Sequence, residues 1–179
     1  MSKDWQRVAI VGLAFPFKGG MVALGNRLAI ELQKTNKDVE IYGFKRLYPY
    51  IIFRKNEKIT NKAEIEEFFN KYKLKIHNFL KSWNPFTWRF TAKLISSRTP
   101  DIVIFQYWVA FFGIIYGQIA RYLKKNHKDI VTIAIVNSIY GKHKFYQKKS
   151  FKYFAKYIDA FIFLSEKVAD EFNELNINK

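Results

Sequence analysis

The sequence of 179 residues contains no cysteine and has only 8 glycines and 4 prolines. Without cysteine there is no disulfide framework and no thiolate metal site, and nothing in the composition favours an oxidising compartment. We also find no low-complexity tract and no Gly/Ser linker. These absences favour a cytoplasmic protein that folds as a single domain over residues 1–179.

Acidic residues are also scarce. The chain has 15 Asp and Glu against 31 Lys and Arg, which gives a formal net charge of +16. Such an excess attracts phosphate-rich partners, among them nucleic acid, anionic lipid and nucleotide sugars. The charge alone does not choose among these partners.

Neither an export signal nor a convincing membrane span is present in the sequence. Residues 1–6 are polar and lack the regions of a signal peptide. Residues 102–120 carry no charge and approach the minimum length of a membrane span, but they include Gly113 and Gly117 after a β-branched first part. We interpret this stretch as a strand followed by a buried helix.

Apolar runs typical of strands recur along the chain, with helical stretches between them. They cover residues 7–13, 38–44, 101–107, 129–136 and 159–165. Apolar strands that alternate with helices indicate a parallel sheet with helices on both faces. The sequence therefore predicts an α/β fold with a Rossmann-like, doubly wound, mainly parallel sheet.

Residues 45–82 depart from this alternation and are interpreted as a basic and aromatic elaboration of the fold. A helix is predicted from Lys62 to about Tyr72, and no strand is predicted in this segment. Another helix is expected to begin at Asn84 and Pro85, where Asn can cap it, and to end by Ser97. A final helix is predicted from Glu166 to about Leu175.

The loop after the first predicted strand reads GLAFPFKGG, at residues 12–20, and opens directly into a helix. Free N–H groups at a helix N-terminus bind anions, and glycine lets the anion approach the backbone. Gly19, Gly20 and Lys18 are therefore candidate contacts for a phosphate group. The loop matches neither the dinucleotide-binding nor the P-loop pattern. A tight turn without a ligand is the alternative.

Polar residues follow the later predicted strands at one edge of the sheet. They are Gln106 and Trp108 after the third strand, Asn137 after the fourth, and Ser165 and Glu166 after the fifth. Because open α/β sheets bind ligands at this edge, we predict that these residues face a common cleft. Each could instead cap a helix or lie satisfied in a loop, and Ser165 is placed to cap the final helix.

Residues 140–157 contain six lysines, seven aromatic residues and no acid. The predicted core face of this segment comprises Phe151, Phe154 and Ile158. The other aromatic residues, together with Lys148, Lys149 and Lys152, suit an anionic membrane interface. A solvated basic face is the alternative.

The three histidines, His77, His127 and His143, show no metal-ligand spacing. We therefore expect no metal site and no cofactor.

Several of these segments, taken in order, resemble family 4 glycosyltransferases. The segments are RVAIVGLAFPFKGG followed by GNRLAIELQK and VEIYGFKRLYP, then NPFTW, PDIVIFQYW, FFG and DAFIFLSE. The resemblance implies the N-terminal, acceptor-side half of an enzyme with two Rossmann-like domains and no required metal. It also implies that Gly19 and Gly20 approach the donor diphosphate, and that a C-terminal domain, absent here, holds most of the nucleotide sugar.

The chain departs from the family pattern after the third and fourth predicted strands. The resemblance implies histidines where this sequence has Val109 and Val136, whereas Asn137 matches. His143 lies two positions from its expected place and is kept as a candidate acceptor contact. These departures allow a diverged or inactive enzyme.

The resemblance implies that the full-length protein transfers a sugar, with retention of configuration, from a nucleotide-sugar donor to a lipid-linked or cell-envelope glycan acceptor. We expect a cytoplasmic protein, including a peripheral position on the inner face of the membrane, and no activity from this chain alone. The alternative is a non-catalytic or diverged Rossmann-like binding module. A third hypothesis is a nucleic-acid-binding domain, although we expect no nucleic acid partner.

Overall fold

A computed structural model describes residues 5–47, 61–139 and 144–177. Its strands are β1 Arg7–Val11, β2 Asp38–Arg46, β3 Lys75–Lys81, β4 Ile102–Tyr107, β5 Val131–Val136 and β6 Ala160–Phe163. Its helices are α1 Gly20–Lys34, α2 Lys62–Tyr72, α3 Pro85–Ser97, α4 Phe112–Asn126, α5 Lys144–Ala155 and α6 Glu166–Asn173. Strand and helix therefore alternate along the chain, as predicted.

The strands form one sheet in the order β3-β2-β1-β4-β5-β6, and every neighbouring pair is parallel. This is the strand order of the doubly wound Rossmann fold. The predicted fold class is confirmed. The strand order reverses between β1 and β4, which are neighbours in the sheet.

The prediction of no strand in residues 45–82 is wrong. Lys75–Lys81 forms β3 at one edge of the sheet, paired with β2. The strand is mostly half-exposed, and its polar residues His77 and Asn78 break the apolar run that marks the inner strands. The helix predicted from Lys62 to Tyr72 is confirmed, and residues 48–60 of this segment lie outside the described ranges.

Helices cover the two faces of the sheet unequally. On one face, Val8 and Ile10 of β1 pack in a cluster with Ala29 and Ile30 of α1 and with residues of α2. On the other face, the cluster that contains Ala9 and Val11 of β1 includes side chains of α3, α4, α5 and α6. We call the first three of these helices the α3–α5 layer.

The α3–α5 layer confirms several predictions about buried positions. Phe151 and Phe154 are fully buried, as expected of the core face of α5, and so is Ile158, which follows the end of the helix. Residues 102–120 form β4 and most of α4 instead of a membrane span. Among the described residues, no helix is both long enough and apolar enough to span a membrane.

The two predicted helix caps have different outcomes. The side chain of Asn84 accepts a hydrogen bond from the backbone N–H of Phe86 at 3.0 Å, and Pro85 occupies the first turn, so the cap of α3 is confirmed. Ser165 does stand at the cap position of α6 in extended conformation, but its side chain accepts no hydrogen bond from the helix. The predicted position of Ser165 at the N-terminus of α6 is therefore confirmed, but without a capping side-chain hydrogen bond.

Candidate functional site

The carboxyl edge of β1 and β4 is the natural ligand position of this fold. From β1 the chain crosses to α1 on one face, and from β4 it crosses to α4 on the other, so the two loops diverge and leave a crevice. The GLAFPFKGG loop connects β1 to α1 at this point. The glycine pair therefore follows β1, which together with β4 forms the point at which the strand order reverses.

Gly19 has a backbone conformation that only glycine adopts readily. Its φ is 147° and its ψ is 174°, in a region from which side chains with a Cβ are largely excluded. Gly20 begins α1 directly after it. A Cβ placed on either glycine would meet no atom of the described residues within 4 Å. Within this part of the chain, the glycine pair is therefore open to the surroundings.

No side chain of the described residues caps the N-terminus of α1. Gly19 occupies the cap position without a side chain to cap the helix, and the first turn contains no acidic residue. The first N–H groups of a helix have no intrahelical partner and carry a partial positive charge. An anion at Gly19 and Gly20 would therefore be stabilised by these N–H groups and by the helix dipole.

Lys18 precedes the glycine pair but already has an ionic partner. Its ammonium lies 3.6 Å from the carboxylate of Glu64 on α2, and both side chains are more than half exposed. Exposed pairs of this kind contribute at most about 1 kcal/mol. An incoming phosphate can therefore compete with Glu64 for Lys18.

The side chain of Gln106 is buried in the interior and does not line an open cleft. Gln106 is 1% exposed, and its Nε2 donates to the carbonyl oxygen of Met21 at 3.3 Å. Its amide fills the space between Gly12 and Gly25, where a Cβ on either glycine would lie 2.0 or 2.5 Å from it. Gln106 therefore links β4 to the first turn of α1.

The remaining cleft candidates lie at increasing distances from the glycine pair. Trp108 follows β4 and packs on Phe112, with ring centroids 5.9 Å apart, and its buried Nε1 has no hydrogen-bond partner among the described residues. Asn137 follows β5, is exposed, and donates its backbone N–H to Tyr107 at 2.8 Å. These two residues follow the two strands nearest to β1 on that side of the sheet.

Ser165 and Glu166 are both exposed and follow β6, the edge strand. Three strand spacings separate β6 from β1, which corresponds to about 14 Å. A ligand bound at the glycine pair would therefore have to extend across the sheet edge to reach them. His143 lies outside the described residues.

The predicted membrane residues lie on α5, in the α3–α5 layer. Lys149 and Lys152 are exposed, whereas Lys148 is half-buried. The ammonium of Lys149 lies 4.4 Å from the centre of the Phe145 ring. Their role at a membrane stays a prediction.

Sequence reasoning missed two cations at the carboxyl edge. Lys45 and Arg46 end β2, the strand beside β1, and both are exposed. The sequence does indicate these two cations, because they come directly after the apolar run of β2. Residues in that position lie at the carboxyl edge of a parallel sheet.

Sequence reasoning also missed a buried polar network at the opposite edge of the sheet. The carboxylate of Glu40 accepts a hydrogen bond from the hydroxyl of Tyr42 at 2.7 Å and lies 3.2 Å from Nε2 of His77. Lys75 and Arg98 approach the same carboxylate at 3.9 Å. Burial raises the pKa of Tyr42, and its hydrogen bond to Glu40 raises it further. The network borders a cavity of about 220 Å³, but its groups satisfy one another, as expected of a structural ion cluster.

No group of three or more His, Asp or Glu side chains in the described residues is arranged to hold a metal ion.

Comparison with known proteins supports the fold but not a family. No protein-family model matches the chain, and no curated protein sequence matches it significantly. Solved structures of an alpha-glucosyltransferase are similar. One, in complex with UDP-glucose and DNA containing an abasic site, has a TM-score of 0.54 at 13% identity over 97% of this chain and 40% of its own.

Another structure, of an alpha-glucosyltransferase with UDP and a mismatched DNA, has a TM-score of 0.53 at 11% identity, with 90% of this chain and 38% of its own covered. A glucose-6-phosphate dehydrogenase in complex with glucose-6-phosphate has a TM-score of 0.49 at 12% identity, with 92% and 38% covered. The chain thus spans about two fifths of the length of these proteins. At such identities the likeness to the two alpha-glucosyltransferase structures shows a shared Rossmann-like fold and no more.

Proposed function

We propose that this chain is the acceptor-side domain of a nucleotide-sugar-dependent glycosyltransferase similar to family 4. The observation that carries the proposal is the open glycine pair at the start of α1, placed where the strand order reverses. The full-length enzyme would transfer a sugar, with retention of configuration, to a lipid-linked or cell-envelope glycan. A second domain would hold most of the donor.

The chemistry of sugar transfer explains why this helix start is useful. When a nucleotide sugar reacts, negative charge develops on the departing diphosphate, and preorganised N–H donors that face this charge stabilise the transition state. The N–H groups of Gly20 and Met21 stand at the start of α1. Lys18 adds a full positive charge once it leaves Glu64. No metal is needed for this stabilisation.

Each remaining candidate receives a role that fits its position. Gln106 holds the first turn of α1 in place through Met21 and is thus a positioning residue. Trp108 and Asn137, at the ends of β4 and β5, are placed to contact the acceptor. Ser165 and Glu166 would meet only a ligand long enough to reach β6.

The structural neighbours support this proposal to a limited extent. The two alpha-glucosyltransferase structures contain UDP or UDP-glucose, so nucleotide-sugar binding is compatible with a fold of this kind. A diverged, non-catalytic binding module is the competing proposal. The observation that favours it is that valines, Val109 and Val136, occupy the positions where the family resemblance implies histidines, and that Val136 is fully buried.

The test is to measure binding of UDP, UDP-glucose and NAD to the protein by isothermal titration calorimetry, together with the Gly20→Val variant. We expect UDP and UDP-glucose to bind through their diphosphate, and Gly20→Val to weaken their binding about tenfold or more, because the valine fills the approach to the N–H groups. Ala23→Val is the matched control, since Ala23 is exposed one turn further along α1.

Equal binding of UDP by Gly20→Val and the wild type would contradict the proposal, as would a preference for NAD. Uridine nucleotide binding without sugar transfer by the full-length protein would favour the non-catalytic module.

A further inference from the structure

The α3–α5 layer carries positive charge without any acidic residue. Its three helices contain no Asp or Glu and nine cations: Arg89, Lys93, Arg121, Lys124, Lys125, Lys144, Lys148, Lys149 and Lys152. The helices on the other face, α1 and α2, contain four cations and four glutamates. α6 packs on the same face through Val168 and adds three acidic residues and one lysine, so the positive charge on this side of the sheet is concentrated on α3, α4 and α5.

Several of these cations have no partner within the described part of the chain. Arg89 of α3, with Arg121 and Lys125 of α4, lines a groove of about 540 Å³ between the two helices, and Trp88 and Tyr122 line it too. None of the three cations makes an ion pair or hydrogen bond through its side chain among the described residues. By contrast, Lys124 of the same layer pairs with Asp159. The groove therefore offers unneutralised charge to an external anion.

Large apolar side chains are exposed at one end of the same layer. Phe86 and Phe145, both at the second position of their helices, are 85% and 73% exposed. Phe90, Ile114 and Tyr146 are also exposed and lie in the first two turns of α3, α4 and α5. Crossover helices in a parallel sheet all begin at the carboxyl edge, so these side chains share one edge of the protein.

We propose that the α3–α5 layer docks on an anionic lipid bilayer, with Phe86, Phe90 and Phe145 inserted among the head groups and the unpaired cations bound to lipid phosphates. Aromatic rings favour the interfacial zone of a bilayer, and basic residues favour anionic head groups. Since no described helix can span the membrane, the contact is peripheral. The proposal rests on this surface alone and does not depend on nucleotide binding.

The arrangement of the exposed rings favours a bilayer over a nucleic acid. Phe86 and Phe145 are on helices separated by α4, so two interhelical spacings, about 16–20 Å, lie between them. A single strand of nucleic acid follows a continuous basic groove with aromatic rings stacked along it. Rings on both flanks of a broad basic layer instead match a flat, extended apolar partner.

The experiment is cosedimentation with phosphatidylcholine vesicles, prepared with and without phosphatidylglycerol. One variant removes groove cations, Arg121→Gln with Lys125→Gln, and a second removes rings, Phe86→Ser with Phe145→Ser. The control, Lys34→Gln with Lys71→Gln, removes the same charge from exposed positions on α1 and α2. All substituted side chains are exposed, so circular dichroism should show folded proteins.

We expect binding only when phosphatidylglycerol is present, and release as salt shortens the range of electrostatic attraction. The cation variant should bind about thirtyfold more weakly, since each basic residue near an anionic surface contributes about 1 kcal/mol. The ring variant should also bind more weakly, whereas the control should remain close to wild type.

Three results would overturn the proposal. If the control loses as much binding as the cation variant, the attraction comes from total charge and not from this layer. If the ring variant binds as well as wild type, no ring is inserted. If a single-stranded oligonucleotide displaces the protein from vesicles and its own binding depends on Phe86 and Phe145, the surface binds nucleic acid.

Discussion

The amide nitrogen of Gln106 lies 3.3 Å from the carbonyl oxygen of Met21, and this contact ties β4 to the first turn of α1. The Gln106 side chain reaches Met21 through a slot that exists because residues 12 and 25 are glycines. The position of the candidate phosphate-binding turn thus depends on a buried polar side chain from a different strand.

Because the Gln106 side chain fills the space beside Gly25, the effect of Gly25→Ala on stability should change sign when Gln106 is replaced by alanine. Gly25→Ala should destabilise the protein by about 1–3 kcal/mol because its Cβ would lie 2.5 Å from Nε2 of Gln106. In a Gln106→Ala background, the same substitution should stabilise it by about 1 kcal/mol, since alanine is the better helix former. Urea unfolding of the four proteins measures this coupling, and additive effects would show that Gln106 moves aside freely.

The conformation of Gly19 predicts a loss of stability that its neighbour does not share. Gly19→Ala should lower the free energy of unfolding by about 1–3 kcal/mol, because its φ of 147° is strained for any residue with a Cβ. Gly20→Ala should be neutral or slightly stabilising, as Gly20 lies in α1 and its Cβ would meet no atom. Equal losses in chemical denaturation would contradict this account of the turn.

Helices cover only part of the sheet face on which α1 packs. We therefore expect substitutions of two neighbouring isoleucines on this face to cost different amounts of stability. Ile135 and Ile162 are register partners on β5 and β6, but Ile135 is buried whereas Ile162 is 50% exposed. Ile135→Ala should therefore cost about 2–5 kcal/mol of stability, and Ile162→Ala much less. Denaturation curves that give similar losses would show that Ile162 is covered in solution.

Asp159 predicts a pH dependence of stability. Burial alone would raise its pKa, but the ammonium of Lys124 and the N–H and hydroxyl of Thr132 outweigh burial and lower the pKa. A lowered pKa in the folded state means that the stabilisation is present above the ordinary pKa of about 3.8 and is lost as the pH falls below it.

Asp159→Asn should therefore reduce stability at neutral pH by about 1–2 kcal/mol, with a smaller further loss in acid than wild type shows. Thermal unfolding between neutral pH and about pH 3 measures the difference. Asp170→Asn, an exposed substitution on α6, is the control. A variant whose acid sensitivity equals that of wild type would exclude this role for Asp159.

The sequence predicted the inner strands because each is a continuous apolar run between helices, as at Ile102–Tyr107. It did not predict β3, because an edge strand half in water tolerates polar residues such as His77. The helices α1 to α4 and α6 were expected close to their observed positions, whereas for α5 the sequence predicted only a core face.

The candidate site was predictable in its glycine pair but not in its supporting contacts. A polar residue at a strand end, such as Gln106, gives no sign of whether it faces solvent or fills a slot between glycines.

The α3–α5 layer was likewise predictable only in part. The absence of acid from α3, α4 and α5 can be read from the sequence, but only the strand order shows that these three helices share one face.

The most direct test of the central claim is to follow the backbone amides of the ¹⁵N-labelled protein by NMR during titration with UDP. If the diphosphate binds at the start of α1, the largest shifts should occur at Gly19, Gly20 and Met21. Gly20→Val should reduce the shifts of this turn at a given UDP concentration, while the rest of its spectrum remains that of a folded protein. Shifts confined to the groove of Arg89, Arg121 and Lys125, with the glycine amides unmoved, would contradict the account.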